Sequence, residues 1–123
     1  MAKAVFVFGN PIVEEDSIAL KVAERLKGKV KEIEFRLLEG PEELPEGEDL
    51  YIMDAALGIE KVEVLQGLDS LKSGKIFSGH DFDLAMELKV LEKAGRIGEV
   101  KIIAIPMDYG LRKAAREVKR ILT

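Results

Sequence analysis

The sequence predicts an α/β protein, a parallel or mixed sheet covered by helices on both faces in a three-layer α/β/α sandwich. Three observations predict it. Short, continuous apolar runs at Ala4 to Phe8, Leu50 to Met53 and Val100 to Ile105 read as strands buried on both faces. Segments with apolar residues at helical spacing alternate with those runs. The 123 residues suffice for one core and not for two, so residues 1–123 are expected to form a single domain.

The elements follow in order. Ala4 to Phe8 is closed by Gly9-Asn10-Pro11, which ends the first strand in a loop. From Glu14 to Leu26, the set Ile18, Ala19, Val22, Ala23 and Leu26 marks a helix, and Gly28 supplies its stop. Val30 to Leu38 alternates as a half-exposed strand, followed by a loop from Pro41 to Asp49. Leu50 to Met53 is the second buried strand. Val62 to Leu65 and Ile76-Phe77 are shorter, edge-lying strands among Gly67, Gly74 and Gly79. A helix from about Phe82 to Lys93 carries Leu84, Leu88 and Leu91 on one stripe and stops at Gly95. Val100 to Ile105 precedes Pro106, and a last helix from about Gly110 to Leu122 buries Leu111, Ala114, Ala115, Val118 and Ile121.

Composition narrows the function classes. The net charge of −4 argues against a general nucleic-acid binder, which needs a basic face to neutralise phosphates. Cysteine is absent, which removes disulfides, thiolate zinc sites and cysteine nucleophiles together. Catalysis would fall to carboxylates, the single histidine, hydroxyls or a metal. The N-terminus enters a strand pattern directly, without the pattern of a signal peptide, and no apolar run approaches the roughly 20 residues that span a bilayer. A cytoplasmic protein without membrane insertion is expected. High Lys and Glu with no Cys or Trp resembles the usage of a thermophile.

Three residues stand just past expected strand ends, namely Asp16, Asp54 and His80. The carboxyl edge of an open α/β sheet is where ligands bind, so the three are candidates for one site. Each also has a plainer explanation. Glu14, Glu15 and Asp16 open a helix, where acids interact favourably with the macrodipole by about 0.3 to 1 kcal/mol. Asp54 directly follows a buried run, where an acid is desolvated unless something pairs with it. His80 lies between Gly79 and Asp81, where it can be a loop residue while Asp81 or Asp83 caps the next helix.

Other features read mostly as structure. Gly9-Asn10 turns the chain or admits close backbone approach of a ligand, and neither a Gly-x-Gly-x-x-Gly nor a Walker A pattern is present. Glu39 to Asp49 holds six carboxylates and no base, a solvated loop or a dock for a basic partner. Arg112, Lys113, Arg116, Lys119 and Arg120 mostly form a solvated face on the last helix that favours its C-terminus.

Taken together, Gly9-Asn10, Asp16 six residues on, Asp54-Ala55 after a buried strand and His80 before an amphipathic helix resemble the nickel-iron hydrogenase maturation endopeptidases, from the first strand to the last helix. The resemblance implies a mostly parallel twisted sheet with helices on both faces, phosphorylase/hydrolase-like. It also implies that Asp16, Asp54 and His80 are the catalytic and metal-engaging residues. The implied activity is removal of a C-terminal tail from the hydrogenase large-subunit precursor, with nickel carried by that substrate or with another divalent ion. Two carboxylates and one imidazole suit such a borderline ion, and Asp81 or Asp83 would orient the imidazole. The chain departs from the family where Glu15-Asp16 is followed by Ser17-Ile18-Ala19, and it is short between Asp54 and His80.

Two rival classes fit part of the pattern. A phosphoacceptor receiver domain has about this length and five parallel strands, with Asp54 as acceptor and Ser78 as switch hydroxyl. The interval from Gly9 to Val13 before the first acids and the lack of a lysine in Ile105-Pro106-Met107-Asp108 oppose it. A non-catalytic, metal-dependent docking protein would need the same three residues as the peptidase.

Overall fold

The computed structural model of the chain describes residues 3–7, 18–37, 47, 49–56, 59–66 and 89–123. Within them, five strands form one sheet: β1 (Lys3–Val7), β2 (Ile33–Leu37), β3 (Leu50–Ala56), β4 (Glu63–Gln66) and β5 (Val100–Pro106), in the order β2-β1-β3-β5-β4. All neighbours run parallel except β4, which lies antiparallel against β5 at the edge. The helical elements are α1 (Ile18–Leu26), one helical stretch at 89–93 (α2) and α3 (Leu111–Leu122).

The apolar runs become central strands for the reason their sequence implies. In β3 and β5 every residue but the second is buried, because both faces of the sheet are covered and neither needs a polar alternate. The edge strand β2 is at most half-buried, and its Glu34 and Arg36, two apart and so on one face, meet in an exposed ion pair at 3.1 Å.

Strand alternation divides the core in two. Val5, Val7, Met53, Ala55, Ile103 and Ile105 face α1 and α3, which present Ala19, Val22, Ala114, Ala115 and Val118. Phe6, Leu50, Ile52, Ala56, Leu65, Ile102 and Ala104 line the opposite face, against Leu91 and Ile97. Helices therefore stand on both sides of the sheet.

Several boundaries differ from expectation. The first strand starts at Lys3, one residue early, while its expected last residue Phe8 lies outside the described residues; the half-exposed strand starts at Ile33, because residues 27–32 form turns and a bend with Glu32 at a φ of 64°. On α3, Ile121 is 39% exposed and Leu122 packs into the core instead. Both positions continue from Val118, at three and four residues, and the helix turns the fourth toward the sheet. Gly110 precedes α3 at a φ of 91°, a conformation that favours glycine, and its carbonyl accepts from Ala114 N–H at 3.0 Å. Gly95 ends α2 as expected: Arg96 N–H reaches Leu91 O at 3.0 Å and Gly95 N–H reaches Glu92 O at 3.1 Å, a Schellman closure. The helix residues before 18 and from 82 to 88, and the expected strand at Ile76-Phe77, lie outside the described residues.

Candidate functional site

The order β2-β1-β3 places a topological switch between β1 and β3. From β1 the chain crosses to β2 on one side, and it later enters β3 on the other. Ligand crevices of open α/β sheets form outside the carboxyl ends of the strands at such a switch. Asp54 stands on β3 beside this point. It is not past the strand end, as the sequence reading had it, but inside the strand, five residues into its seven. The described pairing with β1 ends at Met53, but β5 stays paired through Asp54, Ala55 and Ala56 and holds the backbone extended beyond the apolar run, so Asp54 is carried along with it.

Asp54 is 3% exposed and is the only buried polar or charged residue among the described ones. Its Oδ1 accepts a hydrogen bond from Ala55 N–H at 2.8 Å. Even-numbered positions of β3 share the face of Ile52 and Ala56, so the carboxylate lies on the face opposite α1 and α3. A carboxylate embedded there is costly to desolvate, and it is kept where a charge is used or compensated.

Across the sheet, Asp54 is in register with Ala104 of β5, and Ala104 with Glu63 of β4. Glu63 is half-buried. Sequence reading placed a strand over this segment but gave Glu63 no role, since the row exists only through the antiparallel register of β4.

On the other face, at the same end of the sheet, Tyr109 follows β5. Like Val62 and Met107 it packs against the core on that face, and the Lys113 ammonium stands 4.4 Å from its ring centroid. The Tyr109 hydroxyl faces the Glu117 carboxylate. That hydrogen-bonding interaction, then burial and the negative charge of Glu117, holds the phenol above its ordinary pKa of 10.0; Arg116 and the Val62 backbone oppose the shift. Oε2 of Glu117 is buried with no hydrogen-bond partner among the described residues. The five basic residues of α3 are all exposed, as expected of a solvated face, and Lys113 in addition lies over an aromatic ring.

Asp16 and His80 lie outside the described residues, as do Gly9-Asn10, Ser78, Asp81 and Asp83. Among the described residues no group of three or more His, Asp or Glu side chains is arranged to hold a metal ion, and no helix is long and apolar enough to cross a membrane.

No protein-family model matches the chain, and no curated protein is significantly similar to it. Solved structures are similar in fold. The crystal structure of the hydrogenase 3 maturation protease superposes with a TM-score of 0.66 at 21% identity, covering 98% of this chain and 89% of that one. The hydrogenase maturating endopeptidase HybD from E. coli gives 0.59 at 18% identity, over 99% and 87% of the two chains. The solution structure of an endopeptidase from Escherichia coli gives 0.57 at 16% identity, over 99% and 87%. The chain has the fold of these proteins over nearly its whole length.

Proposed function

We propose that this chain is a hydrolase of the hydrogenase maturation type, an endopeptidase that removes the C-terminal tail of a nickel-iron hydrogenase large-subunit precursor after nickel insertion. The observation that carries the reading is the position of Asp54. Asp54, the one buried charged residue among the described ones, sits at the switch of a sheet whose fold matches solved maturation proteases across 98% of the chain.

In this reading Asp54, Asp16 and His80 engage the nickel that the precursor carries. Carboxylate oxygens and a neutral imidazole nitrogen suit a borderline divalent ion and leave positions for substrate groups. The metal serves as a recognition element: a loaded precursor docks and brings its tail beside the site, whereas an empty one offers these side chains nothing to bind. The work of Asp54 is to present one carboxylate in a fixed direction. Its hydrogen bond from Ala55 N–H and its place in the ladder with β5 restrict that direction.

The receiver reading loses its main support. A receiver has a wholly parallel sheet of five strands, and here β4 closes the edge antiparallel, while β5 ends in Pro106 where a charge-balancing lysine would be needed.

The test is side-by-side digestion of nickel-free and nickel-loaded large-subunit precursor. Shortening of the loaded precursor alone is the expected result. Equal cleavage of both, or of an unrelated unfolded protein, overturns nickel-gated processing, and cleavage of neither leaves the docking role in its place.

A further inference from the structure

Resting on the metal-engaging reading of Asp54, we propose that Glu63 is a specificity-determining residue of the same site, acting through its negative charge to favour a divalent cation beside Asp54. Asp54, Ala104 and Glu63 occupy one row across β3, β5 and β4. Directly paired residues project to the same face, and the neighbours confirm which one: Leu65, two residues on from Glu63, packs in the core cluster that also holds Ala104, Ile52 and Ala56. Val62, one residue before, packs on the opposite side with Tyr109. Alternation along β4 therefore points Glu63 to the face of Asp54.

Within the row, the residue between the two acids is Ala104, whose side chain is a methyl group. Adjacent strands are about 4.8 Å apart, so the two backbones are separated by about 10 Å, and Ala104 adds no more than that methyl to the row. Glu63 is half-buried, where solvent screens a charge less than it does on an open surface. A cation held at Asp54 would lie within about 8 Å of the Glu63 carboxylate. At an effective dielectric between that of a protein surface and that of water, this attraction corresponds to about a tenfold change in affinity for a divalent ion. Glu63 in this arrangement is not a coordinating atom. It is a fixed negative charge that biases the site toward doubly charged cargo over neutral or anionic groups.

The experiment titrates Ni²⁺ into the intact protein by calorimetry, at low and at high salt, for the wild type, Glu63→Gln, Glu63→Asp and Asp54→Asn. Glu63→Gln is expected to weaken nickel binding about tenfold at low salt with a smaller deficit at high salt, since screening removes a through-space effect. Glu63→Asp, which keeps the charge, is expected to stay within about twofold of the wild type by the same through-space argument. Unchanged binding in Glu63→Gln, or an equal fall in Glu63→Asp, overturns the charge role. Wild-type-like binding by Asp54→Asn, or none by the wild type, overturns the metal-engaging reading itself, so the two failures are told apart.

Discussion

The two faces of the central sheet are built to different ends. Toward α1 and α3, the buried strand side chains are all apolar: Val5, Val7, Met53, Ala55, Ile103 and Ile105 interlock with small helix residues such as Ala19, Ala114 and Ala115, none of them charged. Toward the other side the same strands present Phe6, Ile52, Ala56, Ile102 and Ala104, and among them one carboxylate. A single strand contributes to both, with Met53 and Ala55 on the helical face and Asp54 between them on the other. The lesson is a division of labour within seven residues: one face supplies stability, and the price of a buried charge is confined to the face that has a use for it.

Substitution can break this contrast, and the largest effect is expected at Asp54. Asp54→Asn keeps the shape and removes the anionic oxygen. Cleavage of a nickel-loaded precursor should fall by more than about a hundredfold, since even residues that merely support metal-engaging groups cost about 10- to 100-fold. The melting temperature should hold or rise, because a desolvated charge is gone. Loss of folded protein, read by circular dichroism, would make Asp54 a structural residue.

The opposite face should give the inverse result. Ile103→Ala, on a fully buried side chain facing α1 and α3, should cost about 2 to 5 kcal/mol in denaturant unfolding. At temperatures where the variant remains folded, its cleavage rate should stay near that of the wild type. A variant that loses activity while fully folded would show that the two faces are not independent.

A smaller effect sharpens the comparison at the rim of the helical face. Because Tyr109 has its pKa raised, the folded chain keeps the phenolic proton beyond the pH at which the unfolded chain releases it. The contribution is complete below the ordinary value of 10.0 and is lost as the pH rises through the folded-state value. Tyr109→Phe should flatten that alkaline decline in stability. A slope identical in the two proteins between about pH 9.5 and 11.5 would place the titration elsewhere.

Much of the architecture was legible in the sequence, for definite reasons. The runs around Leu50 and Val100 are apolar without alternation because both their faces are covered, and α3 is amphipathic because only one of its faces is. Two things were not legible. Asp is disfavoured in strands, so the reading stopped the second buried strand at Met53, whereas pairing with β5 carries it to Ala56. Strand direction leaves no mark on periodicity, so Val62 to Leu65 was read as an edge strand without its antiparallel sense. The row that joins Glu63 to Asp54 stayed hidden with it. Of the three residues singled out as a site, Asp54 is found buried beside the switch, and Asp16 and His80 fall outside the described residues.

At the far end of the sheet from Asp54, the entries of β3 and β5 are stitched together. Gly47 N–H donates to Arg96 O, Leu50 N–H to Glu99 O, and Glu99 N–H to Asp49 Oδ1, each at 2.8 Å. Side chains on a strand alternate with a period of two, so a slip of β3 by one residue would turn Asp54 into the greasy layer beneath the helices and swing Met53 out in its place. These three bonds act as a zip stop. By pinning where β3 begins, they decide which way a carboxylate several residues downstream must face.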